Sequence, residues 1–258
     1  MHTVQAIPAF TDNYVWMVGS SGSQAVAIID PGEAGPVLRI LSDSGLKVAA
    51  ILLTHHHEDH VGGVGEILRE HPAPVFGPER EGIPTVDHPL KGGDTVIVPE
   101  LDLELDVIDV PGHTAGHVAY LGSRSAFVGD TLFAAGCGRI FEGTPGQMYT
   151  SLERLAALPP ETVIYCAHEY TAANLRFALE VEPANEILAN RLEDARTARS
   201  EGRPTVPFVL AEELETNPFL RCGEPEIKAV AEHRVGRSLD TDTDVFAVVR
   251  RWKDGWRG

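Results

Sequence analysis

Up to about Cys166 the chain alternates short apolar runs with polar breaks. The runs VQAIPAF, YVWMVG, AVAIID, AAILLT, APVFG, DTVIV, LELDVIDV, HVAYLG, SAFVGD and TVIYCA are β-like, and Gly, Pro, Asp and Ser separate them. Helical windows interrupt at Pro36–Ser44, Val64–His71 and Gly146–Leu158. That mixture predicts sheets covered by helices, an α/β fold. After Glu169 the texture turns helical. Ala184–Glu201 is closed by Gly202 and then Pro204, and Glu224–Arg234 and Thr243–Trp252 follow as two more helices. The change places a boundary near residues 168–175, with a β-rich domain over 1–170 and a helical domain over 171–258.

One β-like run, AAILL, leads directly into THHHEDHVGG. In an extended chain residues i and i+2 point to the same side. His55 and His57 therefore project together, while His56 and Glu58 project away. Two imidazoles on one side make half of a metal site. Asp59 and His60 follow where the chain should turn into a helix, placed to serve a second metal, and Gly62 and Gly63 allow a sharp turn or a close approach. Other segments share the layout. PGHTAGH, GDTLF and CAHEY put His113, Asp130 and His168 just past apolar runs, the edge at which α/β sites assemble. His55, His57 and His113 would give one metal three nitrogen ligands. Asp59, His60 and His168 would give the other a mixed set, and Asp130 has two oxygens with which to bridge. Such a layout keeps open positions, as hydrolytic two-metal sites do, and Asp59 and Asp130 are its candidate catalytic carboxylates. His117 is expected to support a ligand rather than to be one. His2, His71, His88 and His233 lack ligand context and should face solvent.

Composition narrows the partners. The 258 residues are 43% hydrophobic and 23% charged, with a net charge of -17. That balance fits a soluble globular chain and opposes nucleic acid and anionic membranes. No apolar run approaches the roughly 20 residues of a membrane helix, and the start lacks a signal-peptide pattern. Cys137, Cys166 and Cys222 fit no zinc ribbon and read as small core residues, reduced in a cytoplasm. A cytoplasmic monomer is expected.

THHHEDH resembles the T-H-x-H-x-D-H signature of the metallo-β-lactamase superfamily, and the resemblance extends through His113, Asp130 and His168 in the order found there. It implies an αββα sandwich, here with a C-terminal helical domain. Because that fold carries many chemistries, it does not settle the substrate. PAFTDNYVW, GDTLFAAGCGRIFEGT, CAHEYTAANLRFA, ETNPFLR and VFAVVRRWKD resemble the glyoxalase II (hydroxyacylglutathione hydrolase) family over nearly the whole chain. The resemblance implies hydrolysis of S-D-lactoylglutathione and related thioesters to a 2-hydroxy acid and glutathione, in methylglyoxal detoxification. It also implies two divalent ions, zinc first, with iron or manganese also compatible, and a metal-bound hydroxide as nucleophile. A thiolate leaves readily, so no Ser, Cys or His nucleophile is assigned.

Arg250 and Lys253 lie three apart on the last helix and so share a side, with Val245, Val248, Val249 and Trp252 as its docking stripe. Read without the resemblance, they are a solvated basic helix end. The resemblance makes them the contacts of the glutathione carboxylates, with Arg139 and Tyr170 as two further substrate contacts. Arg251 should be solvated. Phe141 stands where some members have Tyr and cannot donate a hydrogen bond. Asn174 could face the way of Tyr170 or lie on the helix surface. Two alternatives are a glutathione persulfide dioxygenase, which uses one iron and oxygen, and a non-catalytic metal-binding module.

Overall fold

The computed structural model describes residues 2–258. The chain divides into two compact units, one running to Asp109 and resuming over Thr114–Gly129, the other made of Val110–His113 and Asp130–Gly258.

In the first unit, β1 (His2–Ala9), β2 (Asn13–Ser20), β3 (Ala25–Ile29), β4 (Lys47–Leu52), β5 (Val75–Pro78) and β6 (His88–Leu90) form one sheet in that order. The β1–β2 and β2–β3 pairs are antiparallel, and the next three are parallel. Parallel neighbours need a crossover. It is supplied by α1 (Ala34–Ser44) between β3 and β4, and by α2 (Glu58–Val61) and α3 (Val64–Glu70) between β4 and β5.

Residue alternation shows that this sheet is covered on both faces. Val15, Met17, Val26, Ile28 and Ile51 pack with Val37, Leu41 and Ile67 of α1 and α3. The residues between them, Trp16, Val18, Ala27, Ile29, Ala50 and Leu52, are buried as well. A meander of β7 (Thr95–Val98), β8 (Leu103–Asp109), β9 (Val118–Leu121) and β10 (Ser125–Gly129) forms further antiparallel pairs. Its inward residues Val96, Val98, Leu103, Leu105 and Val107 are buried, while the alternate positions 97, 104 and 106 are exposed. Tyr120 Oη donates to the Leu53 carbonyl at 2.6 Å, and the Val118 N–H donates to the Thr54 carbonyl at 3.0 Å. These bonds tie β9 to the chain just past β4, where the histidine segment begins.

The second unit contains β11 (Leu132–Phe133), β12 (Gly136–Cys137), α4 (Pro145–Ala156), β13 (Val163–Cys166), α5 (Thr171–Val181), α6 (Glu186–Ser200), β14 (Phe208–Val209), α7 (Leu210–Thr216), α8 (Pro225–Val235) and α9 (Asp242–Gly255). Leu175, Ala178, Leu188, Leu192 and Ala195 form the apolar seam of α5 and α6. Thr144 and Gln147 form a capping box at the start of α4, and Thr241 and Asp244 form another at α9. The periodicity located α4, α6, α8 and α9 but not α5 or α7. Neither of those has a side-chain cap or a proline in its first turn, whereas α8, also without a side-chain cap, begins with Pro225.

Candidate active site

In the first unit the site is built around Asp30, a residue the sequence reading did not single out. It directly follows β3 at φ 52°, a left-handed conformation uncommon outside glycine, and is buried. Its carboxylate accepts the Thr54 N–H at 2.8 Å, the Thr54 hydroxyl at 2.7 Å and His60 Nδ1–H at 3.0 Å. With its proton spent on Asp30, the Thr54 hydroxyl accepts His55 Nδ1–H at 3.1 Å. In the neutral form both histidines thereby carry the proton on Nδ1 and turn the Nε2 lone pair outward, the state a metal ligand needs.

His55 Nε2 lies 3.1 Å from His57 Nδ1, and ligand atoms of His55 and His60 lie within 4.8 Å. His60 Nε2 is 3.7 Å from an Asp59 oxygen that accepts the Asn13 amide at 3.0 Å. His55 and His57 face each other, and His56 turns to Glu81, although Thr54 and His55 form a bend past the end of β4 rather than a continued strand. His117 stacks on His55 at 4.6 Å and donates Nδ1–H to the Val118 carbonyl. The segment is seated by close backbone contact. A Cβ at Gly32 would come within 1.8 Å of the Asp59 carbonyl oxygen.

In the second unit Asp130 faces two histidines with different oxygens. Oδ2 is 3.3 Å from His113 Nε2, and Oδ1 is 3.3 Å from His168 Nε2. His113 Nδ1–H donates to the Arg139 carbonyl at 2.7 Å, so in neutral His113 the Nε2 lone pair faces a carboxylate. That arrangement calls for a cation between them, a proton or a metal ion. Imidazole nitrogens with their far sides anchored, together with carboxylate oxygens, form a donor set suited to a divalent metal.

The hairpin after Asp130 is held by the helical tail. Ala135 has φ 52°, and its N–H donates to Glu213 at 2.8 Å. Asn217 Nδ2 reaches the Phe133 and Gly136 carbonyls and Glu213, and Asn174 Nδ2 reaches the Ala134 carbonyl. Asn174 is thus buried against the hairpin, which settles where it points. Burial pushes the Glu213 carboxyl up, opposed by its partner Arg191.

The expected substrate residues occupy the same unit. Tyr170 stacks on His168 at 4.7 Å, with ring planes 4° apart. Exposed Arg139 has Nε 3.9 Å from Asp254, which also accepts Arg250 Nη2 at 3.1 Å. Arg250 is buried, its Nη1 donating to the Cys137 carbonyl at 2.8 Å. Lys253 Nζ donates to the Ala173 carbonyl at 3.2 Å and lies over the Phe177 and Trp256 rings. Burial, reinforced by Arg250 and Arg176, lowers its pKa to about 8. Phe141 is exposed and sits edge-on to His113.

Two expectations need correction. The docking stripe of α9 is Val245, Phe246 and Val249, with Val248 and Trp252 only half-buried. Phe246 packs on Tyr149 and Phe219, which turns that side of the helix inward. His71 is half-buried at the end of α3, whereas His2, His88 and His233 are exposed and so is Arg251. All three cysteines are buried, and burial raises each thiol pKa, which keeps them protonated and poor nucleophiles.

The family comparisons agree with this geometry. The model of the metallo-β-lactamase superfamily matches residues 9–168. Its fold is shared with the crystal structure of ETHE1 from Myxococcus xanthus, at TM-score 0.66 and 25% identity over 97% of this chain and 98% of that one. TTHA1623, solved in a di-iron-bound form, matches at TM-score 0.58 and 26% identity over 81% of this chain and 95% of that one. The class is therefore the αββα metallo-β-lactamase fold with a helical C-terminal region. The model of the hydroxyacylglutathione hydrolase C-terminus matches residues 169–256. The hydroxyacylglutathione hydrolase of Alkalilimnicola ehrlichii is 54% identical over 98% of this chain and 99% of its own. The chain belongs to the hydroxyacylglutathione hydrolase family.

Proposed function

We propose that the chain hydrolyses S-D-lactoylglutathione and related 2-hydroxyacylglutathione thioesters with two divalent ions, zinc being the expected metal. In this reading His55, His57 and His113 hold one ion, Asp59, His60 and His168 hold the other, and Asp130 serves both. The observation that carries it is the Asp130 carboxylate, whose two oxygens face two different histidines at 3.3 Å each. When bound, such a pair supplies a water that ionises near neutral pH and a Lewis acid for the thioester carbonyl.

The chain's own groups do the rest. Thr54, Asp30 and the Arg139 carbonyl hold the Nδ1 protons of His55, His60 and His113, so each neutral imidazole presents its Nε2 lone pair. Asn13 orients Asp59. The leaving glutathione thiolate is stable enough to depart without a dedicated acid. Arg139, Tyr170, Arg250 and Lys253 are proposed to bind the glutathione part, so that residues 1–170 carry the chemistry and share recognition with 171–258. A cytoplasmic monomer completes the reading. Among the described residues no helix is long and apolar enough to cross a membrane.

The test is release of free thiol from S-D-lactoylglutathione by the purified protein without oxygen, with metal analysis of the same sample. Turnover with close to two metals per chain is expected. Oxygen consumption with glutathione persulfide in place of hydrolysis would favour the dioxygenase, and metal without either activity would favour the binding module.

A further inference from the structure

Outside the ligand set, one buried carboxylate stands between the two loops that carry the His55–His57 pair and His117. Glu81 lies in the turn after β5, and its side chain is 1% exposed. Oε2 accepts the backbone N–H of His56 at 3.0 Å and also meets His56 Nδ1. Oε1 accepts the backbone N–H of Gly116 at 2.6 Å. His56 follows His55 and Gly116 precedes His117, and the His55 and His117 rings stack at 4.6 Å with planes 18° apart. One carboxylate thus grips the backbone on both sides of a stacked pair. The fit is close: a Cβ at Gly116 would come within 2.7 Å of both Glu81 Oε1 and the Arg80 side chain.

We infer that Glu81 is a positioning residue for the metal centre, setting the backbone between His55 and His57 and the distance of His117 from His55. The inference rests on the two-metal reading above. A carboxylate suits this place because it offers only acceptors, and three N–H groups converge on it. Glutamine would keep the shape but turn its amide toward one of those donors, losing a bond and facing N–H against N–H. Residues that orient ligands without touching the metal typically change metal affinity about 10–100-fold when replaced.

The experiment compares the parent protein with Glu81→Gln and Glu81→Ala. Metal retention is titrated against a competing chelator, the cobalt-substituted forms are examined by their visible ligand-field spectra, and amide exchange at His56 and Gly116 is followed in the metal-stripped proteins. Retention weakened about 10–100-fold, a shifted cobalt spectrum and faster exchange at those two amides are expected, with exchange in β1–β3 unchanged. If Glu81→Ala unfolds, Glu81→Gln decides. Parent-like retention and spectrum in a folded variant would overturn the inference alone. A parent protein that takes up no metal would overturn the two-metal reading and this inference with it.

Discussion

The two units present their candidate ligands in opposite ways. In the first, His55, His57, Asp59 and His60 fall within six consecutive residues, and their orientation depends on two carboxylates, Asp30 and Glu81, and one amide, Asn13. In the second, His113, Asp130 and His168 are far apart in sequence. The hairpin after Asp130 is anchored by Asn174, Glu213 and Asn217 from α5, α7 and the residue following α7. Consecutive ligands inherit their geometry from one local backbone path. Scattered ligands need long-range scaffolding, and the helical tail supplies it. The tail is therefore structural support for Asp130 as well as a candidate recognition surface.

The largest effect should come from Asp130→Ala. Asp130 is proposed to serve both ions, so its loss should exceed the roughly 100-fold upper range for an outer partner, in kcat/KM and in metal content together. Metal analysis and kinetics on one preparation check this, and unchanged metal content with full turnover would remove Asp130 from the centre.

Next is the scaffold of the second unit. Glu213→Ala leaves the buried Arg191 guanidinium without its closest carboxylate and the Ala135 N–H without its acceptor. Breaking a buried pair from one side costs about 3–5 kcal/mol, and the remaining contact to Glu212 points to the lower end. Denaturant unfolding should show the loss. A fully stable variant would mean that the tail does not brace the hairpin.

Asp30→Asn should follow. The amide can still accept from Thr54 but no longer holds His60 with a charge. Metal affinity should fall about 10–100-fold, beside a stability loss of about 1–3 kcal/mol, because the amide N–H faces a buried donor. A chelator titration measures it. A loss confined to stability would place Asp30 in the fold rather than behind the ligands.

The smallest effect belongs to Lys253. With a pKa of about 8, its ammonium is present below that pH and lost above it. An ordinary lysine would hold its charge to about 10.4. KM for glutathione thioesters should rise as pH passes 8, while kcat changes little. Lys253→Met should have a high KM that no longer moves over that range. Arg251→Ala, on the exposed side, is the control. A pH-independent KM in the parent would take Lys253 out of substrate binding.

Much of the candidate site was legible because ligand chemistry demands particular residue types at particular spacings. The expected alternation of His55 and His57 rested on extended geometry, whereas Thr54 and His55 form a bend, and His113, Asp130 and His168 could be found at the ends of apolar runs. Asp30 carried a usable signal, since AVAIID ends in an acid just as SAFVGD does. Glu81 carried none. It lies among GPEREG, where four of the six residues are charged or Pro, and only folding reveals which of two glutamates turns inward. Glu213 and Asn217 read as an ordinary helix surface and helix end.

By itself the sequence determined the β-rich and helical halves, the candidate ligands and the family, because these rest on local periodicity, residue chemistry and motif spacing. Tertiary structure alone decided which acids became buried acceptors, and that Asn174 faces a hairpin rather than solvent. It also turned α9 so that Phe246 and Arg250 are buried while Val248 and Trp252 are not. A side chain's partners, and hence its proton, depend on groups tens of residues away. His60 binds Asp30 across 30 positions and Arg250 binds the Cys137 carbonyl across 113. No local pattern encodes those pairings, because desolvation and hydrogen bonding select them only once the chain has packed.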